Sequence, residues 1–198
     1  MERPERLTEQ DFAQVWRLME ESFPIDERRT REGQRQLLLN PYYRLYGIRR
    51  EGGMRAFAAV WELLELTFVE HLAVDPLLRN AGTGAALLEW VCGLREKPVV
   101  LEVEPPADTL TARRIGFYKR NGFSLNAYYY VQPALSEAGG VIPLLLMSRP
   151  GRLAGSEFLQ VRGTLYRHVY GIREECPAQA AADSACRQGK EKQEGKIE

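Results

Sequence analysis

The sequence predicts an α/β fold in which helices flank a mixed, mostly antiparallel sheet. Three apolar, β-favouring segments follow one another at residues 42–48, 54–64 and 66–74, and the Gly-containing turn at residues 50–53 is typical of a hairpin. After the third segment come a helical pattern and a short apolar strand at residues 99–104. Strand, helix and strand in that order indicate a parallel crossover, so the sheet is expected to be mixed.

Two helices are expected before the strands. Thr8 is a typical N-cap residue. The apolar residues after it recur at the spacing of one helical face, namely Phe12, Val15, Trp16 and Met19. Pro24 ends this helix, and a second, short helix carries the leucines at residues 37–39 before it stops at Pro41.

The elements after the crossover are also marked by local signals. Residues 109–121 form a predicted helix, which the Asn121-Gly122 pair terminates. A strand at residues 123–131, a loop at 133–140 and a last strand at 141–147 complete the predicted sheet.

The chain is predicted to divide into three parts. Residues 1–149 form the main domain, and residues 150–173 add an amphipathic helix that docks on it. From residue 174 to 198 there is no aromatic residue and little hydrophobicity, so a disordered tail is expected.

Composition excludes several classes of function. Lys+Arg and Asp+Glu balance at 27 each, so there is no basic field for nucleic acid. Three scattered cysteines and two distant histidines predict no disulfide framework and no metal site. No apolar run reaches the ~20 residues of a membrane span, and no signal peptide is visible. We therefore expect a soluble cytoplasmic protein, either a monomer or a homodimer.

The glycine turn between residues 72 and 90 is the strongest functional signal. Arg79 and the glycines Gly82 and Gly84 lie between a strand and the start of a helix. The first N–H groups of a helix have no intrahelical partner and lie at its partially positive end. Glycines there let a ligand approach the backbone closely, so the expected ligand is a phosphate or pyrophosphate.

Two phosphate-binding motifs do not fit this turn. The third glycine of a dinucleotide-binding motif is replaced by Leu87, and no Gly-Lys-Ser/Thr follows as in a P-loop. The turn does resemble the pyrophosphate-binding motif Arg/Gln-x-x-Gly-x-Gly/Ala of the GNAT superfamily, the acetyl-CoA-dependent N-acetyltransferases. A second stretch at residues 117–123, Phe-Tyr-Lys-Arg-Asn-Gly-Phe, resembles that superfamily's other signature, and the resemblance covers residues 8–147 in order.

The resemblance implies a fold, a cosubstrate and a binding site. The sheet should splay in a V between the fourth and fifth strands of the family fold, and acetyl-CoA should bind there without a metal. The implied acetyl-CoA-binding residues are Leu72, Ala73, Val74, Arg79, Asn80, Ala81, Gly82, Thr83, Gly84 and Tyr118.

Direct acetyl transfer to an amine needs an acid and a base. The resemblance implies that Tyr118 is the general acid for the departing thiolate, and a tyrosine that only packs is the alternative. Glu70 is the first candidate for the base and Glu104 the second, since burial raises a carboxyl pKa. Glu102 shares the face of Glu104, whereas alternation places His71 opposite Glu70.

The acceptor is expected to be a primary amine of a small molecule or a protein. A cleft lined by Glu62, Glu70 and Glu104 would favour a cationic amine. Arg113 and Arg114 are expected to neutralise the 3′-phosphate, to hold Glu102 or Glu104, or to lie on a solvated helix face. Trp61 and the tyrosines at residues 128–130 are candidates for an acceptor pocket or for the core. A non-catalytic acyl-CoA-binding module is the alternative function.

Overall fold

The computed structural model describes residues 3–79, 81–135 and 140–172. Asn80, residues 136–139 of the predicted loop and the predicted tail at 174–198 therefore lie outside the described residues. The strands are β1 Glu5–Arg6, β2 Tyr43–Arg50, β3 Gly53–Glu62, β4 Thr67–Val74, β5 Val99–Val103, β6 Ser124–Leu125, β7 Tyr130–Gln132 and β8 Ile142–Arg149. The helices are α1 Phe12–Ser22, α2 Arg31–Gln36, α3 Thr83–Cys92, α4 Thr109–Arg120 and α5 Gly155–His168.

The strands form one sheet in the order β1-β2-β3-β4-β5-β8-β6, and β7 also pairs with β8. The β4–β5 pair is parallel, and the other pairs are antiparallel. The predicted mixed, mostly antiparallel sheet is thus confirmed. Among the described residues, no helix has the length and apolarity that a membrane crossing requires.

The sheet is covered on both faces because β3 is apolar on both sides. Phe57 and Trp61 pack in a cluster with α1 and α5, whereas Ala58 and Val60 pack in a second cluster with α3 and α4. Helix α5 contributes a buried face consisting of Phe158, Val161, Leu165 and Tyr166. The C-terminal helix is therefore packed into the same core as α1.

Most helices and strands lie where the local sequence patterns predict them. Thr8 is the N-cap residue of a 3-10 turn at Glu9–Asp11, and its backbone N–H donates to Asp11 Oδ2 at 2.8 Å. The N-cap residue of α1 itself is Asp11. The short second helix is shifted: α2 precedes the three leucines, which form a 3-10 turn at Leu37–Leu39. Strand β1 was not predicted, because two exposed residues carry no strand pattern.

The predicted strand at residues 123–131 is broken, because Asn126 is buried in its middle. The Asn126 backbone N–H donates to Leu146 O at 2.9 Å, and Asn126 Oδ1 accepts from the Leu153 N–H at 2.8 Å. A buried amide must be satisfied, and these bonds replace the regular ladder at this point. Pairing resumes at β7, which places Tyr130 and Gln132 on one face.

Strands β4 and β5 separate at a bulge. Their pairing runs from Thr67–Val99 to Val69–Leu101 and then stops. At the next residue the β3–β4 register shifts, since Val60 pairs with Val69 and Ala59 pairs with His71. Glu70 is therefore the extra residue of a bulge, which bends a strand. Because β5 stays paired with β8 as far as Val103, the predicted V-shaped splay is confirmed.

The bulge also corrects the expectation for His71. Alternation places His71 on the face opposite Glu70, but a bulge interrupts alternation. In the structure His71 Nδ1 lies 3.8 Å from Glu70 Oε2, and both side chains are buried. The two residues therefore share one side of the strand.

Candidate functional site

A cleft of about 900 Å³ opens between the separated ends of β4 and β5. Its wall also includes the start of α3, one face of α4 and the connection after α1. The predicted site residues that line it are Glu70, Leu72, Ala73, Val74, Arg79, Gly82, Thr83, Gly84, Glu104 and Tyr118. Ala81 is not among the lining residues, and Asn80 is outside the described residues.

One end of the cleft is the N-terminus of α3. Gly82 is the N-cap residue and has a φ of +81°, a conformation that favours glycine. The first helical hydrogen bond joins the Ala86 N–H to Gly82 O at 3.0 Å, so the preceding N–H groups have no intrahelical acceptor. A Cβ at Gly84 would lie 3.0 Å from Val74 Cγ2, which shows how closely α3 approaches β4.

Arg79 adds a full positive charge beside this helix start. Its guanidinium is exposed, and its Nε donates to Val74 O at 3.4 Å. The N–H groups, the helix dipole and the guanidinium together form a site suited to a diphosphate.

A buried ion pair forms at the bulge. Arg29 Nη1 lies 2.5 Å from Glu70 Oε1, and the Glu70 side chain is 1% exposed. Trp61 Nε1 donates to the other carboxylate oxygen at 3.2 Å. Burial raises the pKa of Glu70, but the charges of Arg29 and His71, together with the hydrogen bonds from Arg29 and Trp61, outweigh burial and lower that pKa. The expectation of a raised Glu70 pKa is therefore wrong.

Replacing Arg29 with leucine should destabilise the fold by about 3–5 kcal/mol, because Glu70 is then left as an uncompensated buried charge. Urea unfolding of the full chain measures this change. Arg35→Leu is the control, since Arg35 pairs with Glu9 on the exposed surface. Equal unfolding midpoints for the two variants would contradict the expectation.

Glu102 lies across the cleft root from Glu70. It follows Leu101, the last β5 residue that pairs with β4. The Tyr130 hydroxyl donates to Glu102 Oε1 at 2.5 Å, and the Tyr170 hydroxyl lies 2.7 Å from the same oxygen. Burial raises the pKa of Glu102 to about 7, although the two hydroxyl donors lower it. Two neighbouring carboxylates thus have pKa shifts of opposite sign.

The outer part of the cleft is acidic. Glu104 forms an ion pair with Arg114, one of the partners expected for that arginine. Burial and the nearby Glu104 charge raise the pKa of Glu27, which also lines the cleft. The backbone carbonyl of Glu27 bonds His71 Nε2 at 2.9 Å, which ties the α1–α2 connection to β4.

Tyr118 lies on the opposite wall, on α4. Its ring packs against Phe117 and Phe123, with centroids 5.2 and 5.9 Å away. Burial raises the pKa of Tyr118 to about 12, so its hydroxyl is protonated at neutral pH. A protonated hydroxyl can donate a proton into the cleft.

None of the aromatic candidates for the acceptor pocket is among the residues that line the cleft. Trp61 and Tyr130 are buried in the core, and Tyr128 stacks on Phe158 with centroids 4.6 Å apart. Glu62 accepts a hydrogen bond from the Tyr46 hydroxyl and does not join the residues that line the cleft. In the described ranges, no group of three or more His, Cys, Asp or Glu residues could hold a metal ion.

Sequence reasoning missed Arg29, Gln132 and Tyr170, and it gave Glu102 no separate role. Tyr170 follows the end of α5 and Arg29 lies in a loop, so no local motif marks either residue. The cluster of three arginines at positions 28, 29 and 31 was the one visible signal.

Comparisons with known proteins agree with this geometry. Residues 41–125 match the family model described as the acetyltransferase (GNAT) domain. A protein from Bacteroides thetaiotaomicron assigned to the GNAT acetyltransferases is 33% identical, with a TM-score of 0.78, and the match covers 86% of this chain and 99% of that one. The search of the curated proteins gives no match.

More distant structures share the fold. The ribosomal-protein-S18-alanine N-acetyltransferase from Escherichia coli is 23% identical over 78% of this chain and 97% of its own, with a TM-score of 0.57. An aminoglycoside 6′-N-acetyltransferase complexed with coenzyme A is 13% identical over 74% of this chain and 96% of its own, with a TM-score of 0.55.

Proposed function

Because this chain belongs to the GNAT family of acetyltransferases, we propose that it moves an acetyl group from acetyl-CoA directly to a primary amine. The observation that carries the proposal is the free edge of β4 after Val69, which lies in one cleft with the start of α3. The free edge suits an extended amide-bearing arm, and the helix start suits a diphosphate.

The donor occupies the α3 side of the cleft in this proposal. Backbone N–H groups at Gly82, Thr83 and Gly84 hold the diphosphate, and Arg79 adds charge. The backbone of residues 72–74 pairs with the pantetheine arm as a neighbouring strand would. A backbone N–H of this segment also stabilises the negative charge that develops on the acetyl oxygen.

The acceptor enters the acidic side of the cleft as an ammonium ion. Glu102 takes one proton from it, and the nitrogen then attacks the acetyl carbonyl carbon. The carbon–sulfur bond breaks as the carbon–nitrogen bond is completed, and Tyr118 gives a proton to the departing sulfur. The nitrogen then releases its second proton, which restores the Tyr118 hydroxyl, and Glu102 passes the first proton to solvent. The products are the N-acetylated amine and CoA, and no covalent enzyme intermediate forms.

We place the base at Glu102 rather than at Glu70 or Glu104, because a base works best with a pKa near the working pH. The pKa of Glu102 is about 7, whereas Arg29 lowers the pKa of Glu70. In our proposal Glu70 and Glu104 contribute negative charge that favours a cationic acceptor. Small diamines, lysine side chains and peptide N-termini all satisfy that requirement.

The proposed function is tested with the full chain, acetyl-CoA and a panel of amines. The panel contains 1,4-diaminobutane, Nα-acetyl-lysine amide and tripeptides with free N-termini. Released thiol is measured with a chromogenic disulfide, and the acetylated product is identified by mass spectrometry. We expect acetylation of at least one amine. Binding of acetyl-CoA without acetylation of any amine would favour the non-catalytic acyl-CoA-binding module instead.

Replacing Gly84 with valine should weaken CoA binding by about tenfold or more. The added side chain meets Val74 Cγ2 and displaces the start of α3 from β4. Isothermal titration with CoA measures the change. Gly163→Val is the matched control, because Gly163 is an exposed helical glycine with open space around it. Equal CoA affinities in the two variants would exclude the α3 start as the diphosphate site.

A further inference from the structure

Gln132 lines the cleft and has an unused hydrogen-bond acceptor. It is the last residue of β7, is 5% exposed and lines the cleft beside the acidic residues. Its Nε2 donates to the Tyr170 hydroxyl at 3.4 Å, whereas its Oε1 has no hydrogen-bond partner. Leaving a buried carbonyl oxygen unpaired is costly, so a donor from a ligand is the natural partner.

The orientation of the Gln132 amide follows from its neighbours. The single hydroxyl proton of Tyr170 is directed to Glu102, whose two oxygens lie 2.7 and 2.8 Å away. Tyr170 can therefore only accept from Gln132, which requires Nε2 on that side and leaves Oε1 without a protein partner. The Gln132 amide nitrogen and the Glu102 carboxylate thus both bond one tyrosine hydroxyl.

A second glutamine provides an internal comparison. Gln34 also donates through Nε2 to a tyrosine, Tyr43, at 2.5 Å, and its Oε1 is also unpartnered. Gln34 is fully buried in the core and does not line the cleft. The two residues have the same local chemistry, and the cleft is what distinguishes Gln132.

We propose that Gln132 is an acceptor-binding residue whose Oε1 takes a hydrogen bond from the reacting amine. The inference rests on the proposed function and adds a specificity determinant to it. An ammonium group has several N–H donors, so one bonds Glu102 and a second bonds Gln132. After Glu102 removes its proton, the remaining bond to Gln132 orients the nitrogen lone pair toward the acetyl carbonyl.

This arrangement discriminates amines from alcohols. An alcohol brings one O–H, and that donor is used by Glu102. Gln132 Oε1 would then stay buried without a hydrogen bond, and this loss strongly weakens binding of the alcohol. The substrate class is therefore a primary amine rather than its hydroxyl analogue.

The test uses Gln132→Leu, Gln132→Glu and the control Gln34→Leu, each in the full chain. The probes are Nα-acetyl-lysine amide and its alcohol isostere, Nα-acetyl-6-hydroxynorleucine amide. In Gln132→Leu we expect the KM for the amine to rise by about tenfold or more and the Ki of the alcohol to stay within about twofold. Gln132→Glu retains an acceptor oxygen and should keep the amine KM near that of the wild type.

The KM for acetyl-CoA should be unchanged in all three variants, because Gln132 does not face the donor side. An unchanged amine KM in Gln132→Leu, or an equal rise in Gln34→Leu, would overturn the assignment. If the wild-type protein turned over no amine, the proposed function would fail instead. In that case, calorimetric binding of the same amine to the CoA complex would still test Gln132, because the wild type, Gln132→Glu and Gln34→Leu should all bind it more tightly than Gln132→Leu does.

Discussion

The Glu102→Gln variant is expected to lose kcat/KM for the amine by roughly 10²–10⁴-fold, the usual contribution of general base catalysis. Glutamine retains the size and an acceptor oxygen for Tyr130 and Tyr170, so the cleft should keep its shape. It cannot take a proton from the ammonium ion. Steady-state kinetics at saturating acetyl-CoA measures the loss.

The matched comparison for this variant is Glu70→Gln. Glu70 is ion-paired with Arg29, so its replacement should lower the thermal unfolding temperature. Turnover per folded molecule should fall less in Glu70→Gln than in Glu102→Gln. A larger catalytic loss in Glu70→Gln than in Glu102→Gln would identify Glu70 as the base instead.

The Tyr118→Phe variant is expected to lower kcat by roughly 10²-fold. The change removes the hydroxyl that protonates the departing sulfur but keeps the ring that packs on Phe117 and Phe123. The affinity for CoA should therefore change by less than about twofold, and calorimetry measures it.

Tyr46→Phe serves as the control for Tyr118→Phe. The Tyr46 hydroxyl bonds Glu62 away from the cleft, so its removal should leave kcat unchanged. If Tyr118→Phe kept full kcat, Tyr118 would be a packing residue and the sulfur would leave without help from it.

The glycine-turn side of the cleft could be predicted from sequence because its residues are contiguous. The start of α3 needs a positive φ at its N-cap and a close approach to β4. Gly82 meets the first requirement and Gly84 the second, and both lie within three positions of each other. The second motif, around Tyr118, is equally local. Short patterns of this kind report backbone geometry directly.

The contacts around Glu70 and Glu102 could not be predicted, because they join distant parts of the chain. Arg29 is 41 residues from Glu70, and Tyr170 is 68 residues from Glu102. The partners of Glu70 reverse the upward pKa shift that burial causes, whereas burial prevails over the hydroxyl donors at Glu102. Gln132 has no motif of its own and gains its role from the β7 register.

Within the fold, the misplaced elements have one cause in common. At Glu70 a bulge interrupts alternation, and at Asn126 a buried amide interrupts a strand, yet each segment has the composition of a regular strand. Both interruptions depend on pairing with neighbouring strands, and the composition of a single segment does not reveal that pairing. The interruption at Glu70 lies in the cleft, where Glu70 is a lining residue.

The pH dependence of kcat/KM for the amine bears most directly on the assignment of Glu102 as the base. A base must be ionised to act, so activity should fall as the pH drops through the Glu102 pKa of about 7. Tyr118, with a pKa of about 12, stays protonated throughout this range. We predict an acidic limb near pH 7 in the wild type that disappears in Glu102→Gln, where the residual rate is low and flat. An identical acidic limb in Glu102→Gln would contradict the assignment.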